Sequence, residues 1–457
     1  MTMSLLGAIS AFFLQDYFLI IILIAAAIVL IYNKPLFGTV VVVASAFLYN
    51  VGIKVPSPYR TLGETISFGI ITIIVIYLIV FPKLVQAAKY SNAHVKKIFF
   101  LIALLFGWAA ISLLWTHDIY HGANVIATFL AVFLIFQIFL FQINDKATLY
   151  KLLYACVFIG IALGILLVIS IWYNTDKTFN ISNNISLAFA LISDKDRPGG
   201  FAPHDLAASI MNRFAFIGLA LMYKGGPFKK TLIGLTIAFF IVCSILTASK
   251  AGVLTLFIGI SVFILANPLL RSWRLRLSLA FSSFMAFLLI SGGGLLIRRM
   301  QMFLEKTSDR GYLSDRMELW GKGYDKFLET YGIGVGAGGF SKYIDPVPGA
   351  HTFFGSLLFE LGVVGAIIFI MIIFSVIVYL RETTKACRDK EMIFVMHSFV
   401  ASIISMALQA TIEGDFHQMH VWIVPAMLVA VLKNARDPVE INQINLVYNS
   451  KDISAAQ

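Results

Sequence analysis

The stretch 353–380, FFGSLLFELGVVGAIIFIMIIFSVIVYL, holds one charged residue, Glu360, in 28 positions. A bilayer core is about 30 Å thick and a helix rises about 1.5 Å per residue, so about 20 such residues cross it. In lipid the backbone must satisfy its own N–H and C=O groups, which an apolar run of this length does as an α-helix. The stretch therefore reads as a transmembrane helix, and the pattern recurs along the chain. Candidate spans lie at 17–32, 36–53, 65–82, 97–115, 123–143, 151–173, 206–223, 231–247, 251–267, 277–297, 353–380, 392–412 and 418–433. The first, second and last are the weakest, so the expectation is an all-α polytopic membrane protein with 12–13 transmembrane helices.

Composition agrees. The chain has 457 residues, 59% hydrophobic and 13% charged, with a mean hydropathy of +0.88. Soluble domains run about 45–50% apolar and about 25% charged, so a water-soluble enzyme is excluded. The formal charge of +11 divides unevenly. If every span crosses once, the connections starting at Lys34, Lys83, Asp145, Lys224, Asn267 and Arg381, with the tail from Lys433, share one side. Counted with Lys97 and Lys151, the first residues of the spans they lead into, they hold 20 Lys/Arg and 7 Asp/Glu, against 15 and 17 elsewhere. Short loops rich in Lys/Arg stay cytoplasmic, so the basic excess is a topology signal and gives no reason to expect nucleic acid. Three cysteines, two of them inside apolar runs, make neither a disulfide framework nor a thiolate metal site. Residues 1–15 show no cleavable signal peptide.

Two long connections fall on the opposite face, 174–205 and 298–352. The expected organisation is N-terminal transmembrane helices over 1–173, a functional membrane domain over 174–433 that includes both loops, and a cytoplasmic tail over 434–457. Long loops in compact proteins carry function or are disordered. In the second, Ser314 is placed to cap a helix over 315–329, with Gly332 just past its end. Arg316, Trp320 and Tyr324, spaced i, i+4, i+8, share one face of it. The loop reads as a helical cap.

Four constellations could carry chemistry. Arg197-Pro-Gly-Gly-Phe-Ala-Pro-His204-Asp205 leads into a span holding Arg213. An arginine there costs about 2.5–3.5 kcal/mol on insertion scales, so Arg213 either faces a wet or anionic cavity or snorkels outward. Thr247-Ala-Ser-Lys250-Ala-Gly252 is a polar break offering an external cation at membrane depth, or an anchor for a helix end. Arg316 could fork two hydrogen bonds onto a phosphate. Tyr331-Gly-Ile-Gly-Val-Gly-Ala-Gly-Gly339 follows it. No strand precedes that run, so it is no dinucleotide fingerprint; it is either a flexible turn or a place where backbone N–H groups approach a ligand. Finally, His351 precedes Phe353 and Glu360-Leu-Gly362-Val-Val-Gly365, as an interfacial residue or as a base titrating near neutral pH. Two metal readings, Asp194 with Asp196, and His417 with His420 near Glu413 and Asp415, are weaker than loop polarity, and no metal site is expected.

In this order the Arg197-x-Gly-x-Phe-like stretch, the Ser249-Lys250 break, Arg316-x-x-x-Trp320, the glycine-rich turn, and His351 with Glu360-Leu-Gly-x-x-Gly365 resemble the O-antigen ligase and O-antigen polymerase superfamily. The resemblance covers about residues 190–433. It implies an inner-membrane glycosyltransferase of GT-C type, facing the periplasm, that uses an undecaprenyl-pyrophosphate glycan donor and inverts the anomeric carbon without metal or cofactor. It implies that Arg316, Lys250 and Arg197 bind the pyrophosphate, that His351 is the base or orients the acceptor hydroxyl, and that Arg213, His204, Trp320 and Tyr324 complete the substrate site. Lys250 departs from the arginine expected in many ligases, keeping charge without the fork. The acceptor would be lipid A-core in a ligase, or the growing glycan in a polymerase. A transporter is the third reading, and no related halves of the kind transporters carry are seen.

Overall fold

A computed structural model describes residues 31, 34–47, 72–81, 92–143, 145–174, 204–247, 249–279, 282–283, 312–340, 353–413 and 419–435. Its helices are α1 (Pro35–Phe47), α2 (Thr72–Phe81), α3 (Ala93–Ser112), α4 (Ile119–Gln142), α5 (Lys146–Asn174), α6 (His204–Leu221), α7 (Pro227–Leu246), α8 (Lys250–Ala266), α9 (Tyr312–Glu329), α10 (Phe353–Ala386), α11 (Lys390–Glu413) and α12 (Met419–Ala435). No strand occurs among the described residues. Helices α3, α4, α5, α7, α10 and α11 are long and apolar enough to cross a bilayer. The chain is an all-α polytopic membrane protein.

Sequence signals set many of the boundaries. Asn92 caps α3 by accepting the Val95 N–H, Asp118 caps α4 through the His121 N–H, and Ser249 caps α8 through the Gly252 N–H. Pro227 opens α7, where its missing N–H would have had no helical partner. Spans expected at 97–115, 123–143, 151–173, 206–223, 231–247, 251–267 and 392–412 correspond to α3 to α8 and α11. Those at 17–32 and, for the most part, 277–297 lie outside the described residues.

Two corrections concern the cap and its neighbour. Helix α9 starts at Tyr312, so Ser314 sits inside its first turn and does not cap it. The span expected at 353–380 is not one straight helix, because Gly362 adopts φ 65° and ψ −165°. The Phe353 and Phe369 rings lie 5.1 Å apart, whereas 16 residues of straight helix would separate them by about 24 Å. Residues 353–361 thus form a short arm folded back on a long one, 363–386, which alone is long enough to cross. Hydropathy counts a glycine as apolar and cannot see the reversal.

Helix α6 is buried almost all round, from Ala207 to Ile217, and packs against α5, α7, α8 and α11. The long arm of α10 runs antiparallel to α3. At one end Asn92 Nδ2 donates to Tyr379 Oη (2.8 Å) and His94 meets Glu382 (2.9 Å); at the other Trp108 Nε1 donates to Leu361 O (2.8 Å). The first of these ends also holds Lys146 against Asp389 (2.6 Å), Lys224 over the Tyr150 ring (3.9 Å) and Lys433 on Leu140 O (2.6 Å). Five connections grouped by their charge thus meet at one end of the bundle. The glycine-rich turn and the starts of α6 and α8 lie at the other.

Candidate functional site

The site is organised by Gly362. Its backbone region is open essentially to glycine alone, and a Cβ there would run into the carbonyl oxygens of Gly332 and Ile333. Val363 N donates to Gly332 O (2.9 Å), so the tip of the α10 hairpin rests on the glycine-rich turn. In that turn Gly332, Gly334, Gly336 and Gly338 all have positive φ (79°, 88°, 88° and 69°). This alternation points successive N–H groups into the protein. Val335 N and Gly336 N donate to Phe359 O and Glu360 O (2.9 and 3.0 Å), two carbonyls at the end of the short arm that would otherwise lack partners. Gly338 N donates to Glu360 Oε2 (2.8 Å) and Ala337 N to Ser112 Oγ (2.9 Å). From the end of α3, Trp115 Nε1 donates to Gly334 O (3.1 Å) and Thr116 Oγ1 to Ala337 O (3.1 Å). The glycine run is therefore neither a loose turn nor a cradle of N–H groups presented to a ligand: its donors hold the hairpin and α3.

Helix α9 sits on this lock. Gly323 lies against the Phe359 ring so closely that a Cβ would overlap it, and Leu319 and Phe327 close a small second core around Val335, Phe340 and Phe359. Residue 316 lies in the N-terminal part of this same helix. Trp320 and Tyr324 lie on an adjoining, exposed face.

A second assembly joins α6, α8 and α11. The Gly252 Cα abuts Ala208 Cβ, Asn212 Nδ2 donates to Gly252 O (2.7 Å), and Gln409 Nε2 donates to Asp205 O (2.8 Å). These contacts bring the first turns of α6 and α8, headed by His204 and Lys250, side by side. Arg213 neither snorkels nor opens on water: it is 2% exposed, and its Nη2 donates to Ser209 Oγ (2.7 Å) one turn earlier.

Arg197, His351, Asp194, Asp196, His417 and Asp415 lie outside the described residues. Among the described residues no three His, Cys, Asp or Glu side chains group as metal ligands, and Cys156, Cys243 and Cys387 are buried thiols outside any disulfide. Sequence reasoning singled out Glu360 without giving it a partner, and passed over Trp108, Ser112 and Trp115. Their signal was two tryptophans flanking a serine where an apolar run ends.

Residues 235–370 match the O-antigen ligase family. That match, with the relative below, supports the resemblance to the O-antigen ligase and polymerase superfamily. The family match takes in Lys250, Arg316, His351, the glycine-rich turn and Glu360 to Gly362, and leaves Arg197, His204 and Arg213 upstream of it. The chain is similar to the teichuronic acid biosynthesis protein TuaE of Bacillus subtilis (strain 168), 25% identical over 382 residues, 76% of this chain and 74% of the relative. A solved chain described under "Structural coordination of polymerization and crosslinking by a peptidoglycan synthase complex" is 15% identical with a TM-score of 0.43, covering 74% of this chain and 97% of its own. The family match over 235–370 and the apolar helices support a multi-pass membrane enzyme of the O-antigen ligase/polymerase type, with glycosyltransferase-like chemistry.

Proposed function

We propose that the chain transfers a glycan from undecaprenyl pyrophosphate to lipid A-core oligosaccharide at the periplasmic face of the bacterial inner membrane, as an inverting, metal-independent O-antigen ligase. The observation that carries the reading is the packing of α9, which bears Arg316, on the short arm that His351 precedes by two residues. Gly323 against Phe359, and Glu360 on the Gly338 N–H, tie those two elements into one unit. Lys250 and His204 head adjacent helices at the same end of the bundle, opposite the basic connections.

In this mechanism the acceptor hydroxyl gives its proton to His351 as its oxygen bonds to the anomeric carbon. The bond from that carbon to the pyrophosphate oxygen breaks, and its electron pair leaves with the pyrophosphate. The charge developing there needs fixed cations; Arg316, Lys250 and Arg197 supply them, Arg316 as a fork and Lys250 as a point charge. Arg213, enclosed by protein, adds positive charge from beneath. Trp320 and Tyr324 flank the donor on its lipid side, where the pyrophosphate joins the polyprenyl chain.

The name of the relative TuaE concerns teichuronic acid biosynthesis, which favours a second reading, a polymerase using the same lipid-linked donor with the growing glycan as acceptor. Purified protein given donor and acceptor in the absence of a membrane gradient should form product, which a transporter would not. Arg316→Ala and His351→Ala should lower turnover at least about 100-fold, the scale of one general base or one charge-stabilising donor, while the protein inserts and melts as before. Near wild-type turnover in both variants overturns the assigned residues. In a deletion strain, lipopolysaccharide with core alone supports the ligase, and core plus a single repeat supports the polymerase.

A further inference from the structure

Helix α9 has three faces. Leu319, Gly323 and Phe327 pack inward on the second core. From Glu318 onward the charges keep to another sector, where Lys322 pairs with Glu318 (2.9 Å) and Lys326 with Glu329 (2.5 Å). The third face, Trp320, Tyr324 and Leu328, carries no charge at all and is exposed (38%, 55% and 54%). It does not stop at the helix end. Tyr331, 94% exposed, holds a left-handed φ of 52° that is uncommon for a bulky side chain, and Ile333 follows. The Val363 N–H on Gly332 O then joins this strip to the outward side of the long arm of α10, where Val363, Val364, Ile367 and Ile370 are exposed. That side belongs to an arm long and apolar enough to cross a bilayer, and an exposed aliphatic face on such an arm is the kind that lipid covers. One uncharged surface thus runs from the transmembrane arm onto the cap helix.

We propose that α9 is an interfacial helix, lying in the plane of the membrane with Trp320, Tyr324 and Leu328 sunk into the boundary between phospholipid headgroups and acyl chains. Three observations select lipid as the occupant. The strip is continuous with the lipid-facing side of α10. Its residue types are those that populate the membrane interface, rings with an apolar body and a polar tip next to aliphatic side chains. The charged sector lies off to the side, in the arrangement of an amphipathic helix resting on a bilayer. With two lysines against Glu318, Asp325 and Glu329, that sector offers no net attraction to anionic lipid, so apolar burial drives the docking. The docking stands without the proposed chemistry. If that chemistry holds, it fixes the helix of Arg316 at headgroup depth, the level at which a lipid-linked pyrophosphate carries its charge.

The test uses the full chain in phosphatidylcholine vesicles whose acyl chains are brominated near the headgroup. The chain has six tryptophans, so the emission lost in Trp320→Phe isolates Trp320. That difference spectrum should be blue-shifted, quenched by at least half in brominated lipid, little affected by aqueous iodide, and unchanged when phosphatidylglycerol replaces half the lipid. A red-shifted spectrum quenched by iodide and not by bromine overturns the proposal. So does iodide quenching relieved by added lipid-linked glycan, which would make the strip a sugar platform. A Tyr324→Trp reporter must behave like Trp320, and keeps the test open should Trp320→Phe fail to fold.

Discussion

Gly362 and Glu360 carry the hairpin lock, and each makes a separate prediction. An alanine at 362 would hold a glycine-only conformation at about 1–3 kcal/mol of strain, before its Cβ meets the carbonyls of Gly332 and Ile333. Gly362→Ala is therefore expected to lower the melting midpoint in detergent by several degrees and to abolish transfer. Gly107→Ala, on α3 with nothing within 4 Å, should leave both intact; equal behaviour of the two would show that the reversal is dispensable. Glu360→Ala strands the buried Gly338 N–H and should cost about 1–3 kcal/mol. Glu360→Gln keeps an acceptor and loses only the charge assistance, so its midpoint should fall between alanine and wild type. The sequence displays both residues of Glu360-Leu-Gly362. It does not display their partners, because a carboxylate bound to an N–H 22 residues earlier leaves no periodicity to read.

Helix α9 was legible as an amphipathic element, since Arg316, Trp320 and Tyr324 recur at helical spacing and Gly332 ends it with a positive φ. What sequence alone could not tell is that the helix has two apolar faces, one for the short arm of α10 and one exposed. Nor could it tell that the neighbouring glycines are spent on internal hydrogen bonds. The two glycines inside α9 separate these roles. Gly321 has nothing within 4 Å of a would-be Cβ, whereas Gly323 would put one into the Phe359 ring. An exposed helical glycine costs roughly 0.5–1 kcal/mol relative to alanine, so Gly321→Ala should raise the melting midpoint slightly. Gly323→Ala gains the same propensity but must push α9 off the hairpin. It should lower the midpoint and, by displacing Arg316, reduce turnover more than it reduces stability. A paired melt and rate measurement on the two variants checks this, and an identical response from both would mean that α9 does not depend on its seat against Phe359.

Across the whole molecule, the charge partition was the most informative reading of the sequence, because positive loops are sorted to one side whatever the packing between them. It anticipated that these connections share an end, but not how they are tied. Lys146 reaches Asp389 (2.6 Å) and Glu391 (2.5 Å) from another part of the chain. Partial burial pushes the Asp389 carboxyl upward; the Lys146 ion pair and the N–H groups of Glu391 and Met392 outweigh it and hold the pKa below the usual carboxylate range. Hydrogen bonds from the Thr148 hydroxyl and N–H hold Asp145 low as well. A carboxylate lowered in the folded state contributes its stabilisation fully above its unfolded pKa, about 3.9, and loses it as pH falls through the folded value. The tie should therefore be intact at neutral pH and fail in acid. The melting midpoint of the wild-type protein is expected to drop as pH is lowered below about 5. Asp389→Asn should start lower at pH 7 and drop less, so that the two curves converge. Both side chains of the Lys146–Asp389 pair are more than a third exposed (38% and 40%), so the difference at neutral pH should be small and should shrink as salt screens it. Parallel curves, or a gap indifferent to salt, would show that the ion pair does not hold these connections together.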